Sequence, residues 1–283
     1  MSTLKDQFSQ PVHRYRITPP SIWGNIDLSE LWAFRDLLII LMMRDVKLRY
    51  KQTALGIIWV VLQPLVASVI FAVIFGSFAK LPSGGTAYLP FVFAGMLPWN
   101  LFAGALQRAG NSLVTEARLV SKVYFPRLII PLASCAAVLV DFAVALAVML
   151  VLIIGYRIPL TVNIFALPLL LLVTLLLSVG MSLIFSAFNV YYRDFMYVLP
   201  FLIQVWLYAS PVVYSVSLIP ERLRGIYALN PMVGVIDGFR WALLGDGAFP
   251  WTSLGISLVG SVVLLVVAGI VFQRVEQQFA DVI

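Results

Sequence analysis

Long apolar runs alternate with short polar stretches along most of the chain. A transmembrane helix needs about 20 mainly apolar residues to cross roughly 30 Å of hydrocarbon. The sequence therefore predicts six transmembrane helices, at about residues 54–79, 88–106, 128–154, 164–188, 196–216 and 251–272. No repeat of fixed period and no low-complexity tract interrupts them. We expect an all-α polytopic membrane protein.

The positive residues are divided unevenly between the two sides of this topology. Six spans place both termini on one side, and about 14 of the 19 Lys and Arg residues fall on that side. Because cytoplasmic loops carry the excess of Lys and Arg, we predict that both termini are cytoplasmic. The predicted units are a cytoplasmic arm at 1–27, an interface helix at 28–52, a transmembrane domain at 53–273 and a tail at 274–283.

The segment before the first span is too short and too charged to cross a membrane. Arg44, Lys47 and Lys51 fall on one helical face, and the apolar residues Leu38, Leu41, Met42 and Val46 gather largely opposite. This pattern predicts an amphipathic helix in the cytoplasmic interface, with its basic face toward lipid phosphates. The alternative is a solvated juxtamembrane helix with no special role.

Residues 211–250 have short apolar pieces that are interrupted by charges. Asn230 followed by Pro231 predicts a helix start, and Gly245 predicts its end. This helix is also too short to span. Since the topology places the segment on the periplasmic side, we predict a re-entrant or surface-lying helical hairpin before the last span.

Composition removes several classes of function. Hydrophobic residues make up 61% of the chain and charged residues 11%, which a soluble core would not accommodate. The single Cys135 and the single His13 cannot form a metal site or a nucleophile–base pair, so we predict no catalytic and no metal-binding residues. The net charge of +6 arises beside apolar runs without a nucleic-acid-binding module, so no nucleic-acid partner is expected.

The chain lacks a phosphate-binding Gly-x-x-x-x-Gly-Lys-Ser/Thr loop. A nucleotide-hydrolysing site of that type is therefore absent from the sequence, and no cofactor is expected in this chain. Asp141 is the one carboxylate well inside a predicted span. We favour a structural Asp141 that is hydrogen-bonded to a neighbour over a proton relay, because the other predicted spans offer no second ionisable group.

Two predicted spans carry aromatic and amide residues along one face. In the first span these are Trp59, Gln63, Phe71 and Phe75, and in the fifth they are Phe201, Gln204 and Tyr208. Aromatic rings present flat apolar surfaces to sugar rings, and amides exchange hydrogen bonds with hydroxyl groups. Ordinary helix packing with an aromatic belt at the interfaces explains the same pattern.

The loop between the second and third spans contains a candidate helix, for which Asn111 or Ser112 would be the cap. A cytoplasmic helix of this size fits a cleft on a partner, and an ordinary solvated loop helix is the alternative. The residues that would face a partner are Ser112, Glu116, Arg118, Lys122 and Tyr124.

Several sequence blocks resemble the ABC type-2 permeases that export O-antigen, capsule or teichoic-acid chains. They are 44–59 (RDVKLRYKQTALGIIW), 63–64 (QP), 93–102 (FAGMLPWNLF), 122–127 (KVYFPR), 191–194 (YYRD), 229–232 (LNPM) and 279–283 (FADVI). The blocks occur in the family's order, and their charged, proline and aromatic positions make the match specific.

The resemblance implies a permease in the bacterial inner membrane that is not itself an enzyme. It implies two copies of the chain, two separate ATPase subunits that bind the ATP, and a lipid-linked polysaccharide as substrate. It also implies that the first and fifth spans line the channel and that the loop between the second and third spans is a coupling helix. Which glycan is exported stays open.

Two other functions compete with this one. A membrane-embedded glycosyltransferase or acyltransferase would need a catalytic acid, base or histidine near the interface, and His13 lies in the polar arm. An ion-coupled secondary carrier would need ionisable residues near the bilayer midplane.

Overall fold

A computed structural model describes residues 28–51, 56–192, 194–245 and 247–276. The regular structure in these ranges is helical, which confirms the all-α prediction. The predicted arm at 1–27 and most of the predicted tail lie outside the described residues. The α-helices are α1 (Leu28–Ala33), α2 (Arg35–Lys51), α3 (Gly56–Phe71), α4 (Tyr88–Thr115), α5 (Ala117–Lys122), α6 (Ile129–Gly155), α7 (Leu167–Tyr191), α8 (Phe195–Tyr208), α9 (Glu221–Tyr227), α10 (Pro231–Leu244) and α11 (Trp251–Glu276).

Among the described residues, 5 helical segments are long and apolar enough to cross a membrane. Two of them include a shorter helix of another type, a π-helix (Ala72–Phe78) after α3 and a 3-10 helix (Val162–Ala166) before α7. The protein is therefore a multi-pass membrane protein, as predicted. The five segments are Ile58–Phe78, Tyr88–Thr115, Ile129–Gly155, Val162–Tyr191 and Trp251–Glu276.

The fifth predicted span, at 196–216, is wrong in its extent. Helix α8 has 14 residues and ends at Tyr208, so it is only about 21 Å long. Turns follow it instead of a further helical turn. The apolar run continues past Tyr208, but its backbone folds back toward α4 and α10. The total of six spans and the cytoplasmic placement of both termini stay predictions.

Helix α4 is the centre of the bundle and packs against α3, α6, α7 and α10. Most of its residues are buried, because neighbouring helices surround it. Phe93 and Phe102 are fully buried there, and Phe102 meets the ring of Trp206 edge-to-face at 5.0 Å between centroids. The hydrophobic window of α4 is 78% buried against protein, compared with 17–33% in the other four long apolar segments.

A second core forms where α2 meets the ends of α4, α6 and α11. Leu41 of α2 is buried in it with Leu113, Ile129 and Phe272. The predicted division of α2 into a basic and an apolar face is wrong in detail. Its leucine side packs against protein, and its exposed side combines Lys47 and Lys51 with the apolar residues Ile39, Ile40, Met43 and Leu48. A helix between a protein core and lipid headgroups needs both kinds of residue on its outer side.

The predicted limits of α10 are confirmed. The Asn230 side chain accepts a hydrogen bond from the backbone N–H of Met232 at 3.1 Å, and Pro231 is the first helical residue. Gly245 ends the helix with φ +69°, a left-handed conformation that glycine adopts without strain. Helices α9 and α10 are both too short to span, so short helices and turns connect α8 to α11. Their arrangement as a re-entrant or surface-lying hairpin stays a prediction.

Candidate functional site

The structure divides the aromatic face predicted on the first span. Trp59 is 55% exposed and Gln63 is exposed, whereas Phe71 and Phe75 are half-buried against the main core, with ring centroids 6.0 Å apart. The division already arises within α3, because four residues are more than one turn of an α-helix and each four-residue step drifts by about 40° around the axis. Phe71 therefore lies about 120° around the helix from Trp59.

The face predicted on α8 is exposed as a unit. Phe201 and Tyr208 are 66% and 57% exposed, and Gln204 between them is also exposed. The opposite side holds the helix in place through Leu199, which is buried in the main core, and Trp206, which packs on α4. Two rings and an amide therefore remain available for contact outside this single chain.

A groove of about 510 Å³ opens beside the end of α8. Asn230 organises its wall: it accepts a hydrogen bond from Trp206 Nε1 at 3.0 Å and donates to the Ala209 carbonyl oxygen at 3.2 Å. The groove combines two aromatic side chains, an amide and several aliphatic ones. Its lining residues are Trp206, Ala209, Ile219, Pro220, Leu223, Ile226, Tyr227, Asn230 and Pro231.

Arg240 of α10 holds the turns after α8 in place. Its guanidinium donates hydrogen bonds to the carbonyl oxygens of Val212 (2.7 Å), Tyr214 (3.1 Å) and Phe91 (3.3 Å). It also lies 3.7 Å from the centroid of the Phe91 ring. Its ion pair with Asp237 is long, at 3.9 Å between Nη1 and Oδ1. Arg240 is only 6% exposed, so backbone oxygens and a ring replace water around a buried cation.

The predicted cap of the loop helix is wrong. Helix α4 continues through Thr115, so Asn111 and Ser112 lie inside it, and Ser112 is buried and donates to the Ala109 carbonyl oxygen at 2.7 Å. The loop helix is α5, only six residues long, and it begins after Glu116. The amphipathic character of the longer helix carries it past the residues that local capping preferences single out.

The exposed residues of this loop lie after Glu116. Arg118, Lys122 and Tyr124 are exposed, Tyr124 by 81%. The negative charge of Glu30 raises the pKa of the Tyr124 phenol. We call residues 116–124 the coupling segment, after the role that the family resemblance implies.

Ion pairs anchor the coupling segment and the residues that follow it. Arg44 of α2 donates to Glu116 Oε1 at 2.7 Å and to Asp45 Oδ1 at 2.9 Å. Burial opposes the charge on Arg44, but these two hydrogen bonds outweigh it and hold the pKa of the guanidinium above its ordinary value. Just beyond the segment, the backbone N–H of Arg127 donates to Glu276 Oε1 at 3.0 Å. The exposed residues therefore lie on a loop that is tied to α2 and to the end of α11.

Asp141 in the middle of α6 accepts hydrogen bonds from three side chains. Arg49 Nη1 lies 2.5 Å and Arg108 Nη2 lies 2.8 Å from Oδ2, and the Tyr50 hydroxyl lies 2.5 Å from Oδ1. Burial and the bond to Asp141 raise the pKa of Tyr50, so the phenol remains a donor. Asp141 is hydrogen-bonded to its neighbours, as predicted, and its structural role, as opposed to a proton relay, stays a prediction. The premise that no second ionisable group lies in another span is wrong, because α4 extends far enough to include Arg108.

Comparison with known proteins identifies the family. The profile of the ABC-2 type transporter family matches residues 36–244, which is most of the chain. The chain belongs to the ABC-2 type transporter family. ABC-2 permeases normally work with ATPase subunits in ABC transporters.

Several ABC-2 relatives match nearly the whole chain. An O-antigen export system permease protein RfbA of Myxococcus xanthus is 30% identical over 89% of this chain and 97% of its own length. One from Klebsiella pneumoniae is 27% identical over 88% of this chain and 95% of its own. The polysialic acid transport protein KpsM of Escherichia coli is 25% identical over 77% of this chain and 83% of its own. These relatives are transport permeases, not enzymes.

Sequence reasoning missed two groups of this ABC-2 permease, Arg240 with its carbonyl partners and the Arg49–Arg108–Asp141 cluster. A charged residue inside an otherwise apolar helix is a signal for a buried partner, and Arg240 and Asp141 both showed it. The signal does not identify the partner, since the hydrogen bonds join residues 26 to 149 positions apart for Arg240 and 33 to 92 apart for Asp141.

Proposed function

We propose that this chain is the membrane-spanning permease of an ATP-driven exporter in the bacterial inner membrane. Its substrate is a lipid-linked surface polysaccharide, with an O-antigen favoured over a capsule or teichoic-acid chain. The working complex contains two copies of this chain and two separate ATPase subunits.

The observation that carries this proposal is the match to O-antigen export permeases over almost the whole of both chains. An alignment of that extent includes the spans, the coupling segment and the hairpin before α11, so the shared parts are those that translocation uses. The match to a polysialic acid transport protein supports a glycan substrate from an independent relative.

The exposed side chains of α3 and α8 support a path for an extended glycan. Trp59, Gln63, Phe201, Gln204 and Tyr208 are exposed in the single chain, as expected of residues that meet a second copy or a substrate. Many weak aromatic and amide contacts allow a polymer to slide, whereas one tight site would hold it. Phe71 and Phe75 are half-buried and pack against the main core, so they would form the wall of this path that faces the protein.

The coupling segment supports an ATPase partner. Arg118, Lys122 and Tyr124 project from a loop that the Arg44–Glu116 ion pair and the hydrogen bond from the Arg127 backbone N–H to Glu276 hold, which gives a partner a defined surface to bind. Ser112 contributes only through the packing of α4, because it is buried. On the outer side of α2, Lys47 and Lys51 suit anionic lipid headgroups, while Arg44 is engaged with Glu116.

The test uses the full-length chain in its own host with its gene deleted and replaced by variants. We expect deletion to abolish surface glycan while lipid-linked glycan accumulates inside the cell. Reversing two charges, Arg118→Glu with Lys122→Glu, should weaken copurification of the ATPase subunit by about tenfold or more. Arg222→Glu, the same change on exposed α9, is the matched control and should leave it unchanged.

Normal surface glycan in the deletion strain would contradict the assigned substrate. A purified chain that hydrolyses ATP without a second subunit would contradict the assignment of ATP hydrolysis to a separate subunit. Equal ATPase binding by the Arg118/Lys122 variant and by the Arg222 control would contradict the assignment of the coupling segment.

A further inference from the structure

Asp141 joins three helices at one carboxylate. It belongs to α6, its partners Arg49 and Tyr50 belong to α2, and Arg108 belongs to α4. The Asp141 side chain is 14% exposed, and the two arginine side chains are 34% and 33% exposed. The three charges are thus largely removed from water, where an ion pair interacts more strongly than at a surface.

The two arginines meet on the same oxygen, Asp141 Oδ2. Two positive charges and one negative charge give the cluster a net charge of +1. The carboxylate attracts both guanidinium groups and therefore offsets the repulsion between these two like charges of α2 and α4. Its removal leaves two facing cations, whereas removal of Arg108 leaves a balanced pair.

Helix α2 lies between this cluster and the coupling segment. Arg44 pairs with Glu116, and Asp45 accepts a hydrogen bond from Ser134 of α6 at 3.3 Å. Five residues after Arg44, or about 7.5 Å along the helix, Arg49 reaches Asp141. The contacts advance in the same direction along α2 and α6, so α2 runs beside the first half of α6.

The cluster is also close in sequence to the start of the first span. Helix α2 ends at Lys51, and α3 begins at Gly56 with Trp59 and Gln63 in its first turns. The position of the carboxyl end of α2 therefore limits where α3 can begin. A shift of that end would displace Trp59 and Gln63, the two exposed residues of the α3 face.

We propose that Asp141 is a positioning residue that fixes the carboxyl end of α2 to α4 and α6, and thereby sets the place of the first span relative to the rest of the bundle. Its effect on export rests on the proposed function. Its effect on the position of α2 does not, so the two can be tested separately.

The charge balance predicts an order among four variants. Asp141→Glu keeps the negative charge and should retain most function. Arg108→Gln leaves one balanced pair and should also be mild, within about threefold of wild type in export. Asp141→Asn removes the carboxylate that both arginines share and so no longer offsets their mutual repulsion, and it should reduce export about tenfold or more. The double variant Arg108→Gln/Asp141→Asn returns the net charge to +1 and should export better than Asp141→Asn alone.

The position of α2 is measured with two spin labels in the full-length chain in nanodiscs. The labels are placed at Lys47 on α2 and Val151 on α6, both exposed, after replacement of buried Cys135 by Ala. We expect one narrow distance distribution in wild type and a distribution about twofold broader, or shifted, in Asp141→Asn. Asp36→Asn removes a carboxylate from the exposed start of α2, where the side chain is 79% exposed, and should change nothing.

A distribution that is narrower in the double variant than in Asp141→Asn is the result that a role in packing alone would not produce, because both variants lack the carboxylate and differ only in the charge at position 108. An unchanged distribution in Asp141→Asn would overturn the proposal. So would a double variant that is worse than Asp141→Asn, or one that fails to reach the membrane when Arg108→Gln succeeds. If wild type exports no glycan but Asp141→Asn still displaces α2, the proposed substrate is wrong, and the role of Asp141 in positioning α2 is supported.

Discussion

Gly95 of α4 lies against the guanidinium group of Arg240. A Cβ atom at position 95 would come within 2.9 Å of Arg240 Nη2 and 2.8 Å of the Val212 carbonyl oxygen. Those two atoms hydrogen-bond to each other at 2.7 Å, so the missing side chain leaves the space in which Arg240 reaches the turns after α8.

Gly95→Ala should therefore destabilise the protein, although alanine is the better helix former. The methyl group meets a backbone oxygen and a held guanidinium, and neither can move without loss of a hydrogen bond. We expect a loss of about 1–3 kcal/mol in the free energy of unfolding. Thermal unfolding in detergent measures it. The matched control is Gly255→Ala on α11, where a Cβ meets nothing within 4 Å and the helix should gain slightly. Equal stability of the two variants would contradict the close approach.

Replacing Arg240 should lower the free energy of unfolding, because Arg240 holds the turns between α8 and α10 in place and is itself buried. Arg240→Gln leaves three buried carbonyl oxygens without their donor, for a loss of about 3 kcal/mol or more. Arg240→Lys keeps the charge but cannot reach all three oxygens, since an ammonium group lacks the planar fork of a guanidinium. Arg224→Gln is the control, because Arg224 also donates to backbone oxygens, those of Ile219 and Ser217, but on the surface. Arg224→Gln should lower the free energy of unfolding by only about 0.5 kcal/mol, as is usual for surface substitutions. Similar unfolding midpoints for the Arg240 and Arg224 variants would show that burial of the arginine does not determine the loss of stability.

Phe201→Arg should nearly stop glycan export while the chain still reaches the membrane and binds its ATPase. The side chain is 66% exposed, so the change does not disturb the core, but a cation in a narrow path obstructs a sliding polymer. Phe201→Ala should be mild. Surface glycan is measured against Phe165→Arg, a change at an 82% exposed phenylalanine of the 3-10 helix before α7. Full export by Phe201→Arg would mean that this face of α8 meets protein or lipid.

Cysteine labelling should report the predicted orientation. In wild type, Cys135 is buried and should not react with a membrane-impermeant maleimide, so single added cysteines give a clean signal. A cysteine at Glu221, whose side chain is 88% exposed, should label from the periplasm in intact cells. One at Ser121 on α5 should label only after the inner membrane is opened. The reverse pattern would invert the topology.

The helix limits and apolar segments that are set by residues nearby in the sequence were predictable. The limits of α10 follow from Asn230, which caps a backbone group two residues away, and from Gly245, whose left-handed conformation is a property of one residue. The five long apolar segments follow from hydrophobicity over about 20 consecutive residues. These are local properties, and they are the same in any tertiary context.

The end of α8 and the position of Ser112 inside α4 could not be predicted from local properties. Residues 209–216 are largely apolar, and contacts from distant residues hold their turns. Arg240 donates to the carbonyl oxygens of Val212 and Tyr214, Tyr88 to that of Val213, and Asn230 to that of Ala209. Ser112 is a good cap by type, but packing of α4 among its neighbours extends the helix beyond it. Tertiary contacts outweighed local preference at both places.

Hydrophobicity along the chain was enough to predict several membrane crossings and the position of most helices, and short sequence blocks were enough to indicate the family. The partners of Asp141 and Arg240 became known only from the packing of the helices. A charged group removed from water must find a partner, but the identity of that partner depends on which helices pack together. Asp141 meets Arg49 from 92 positions away because α2 lies along α6, and no local pattern specifies that arrangement.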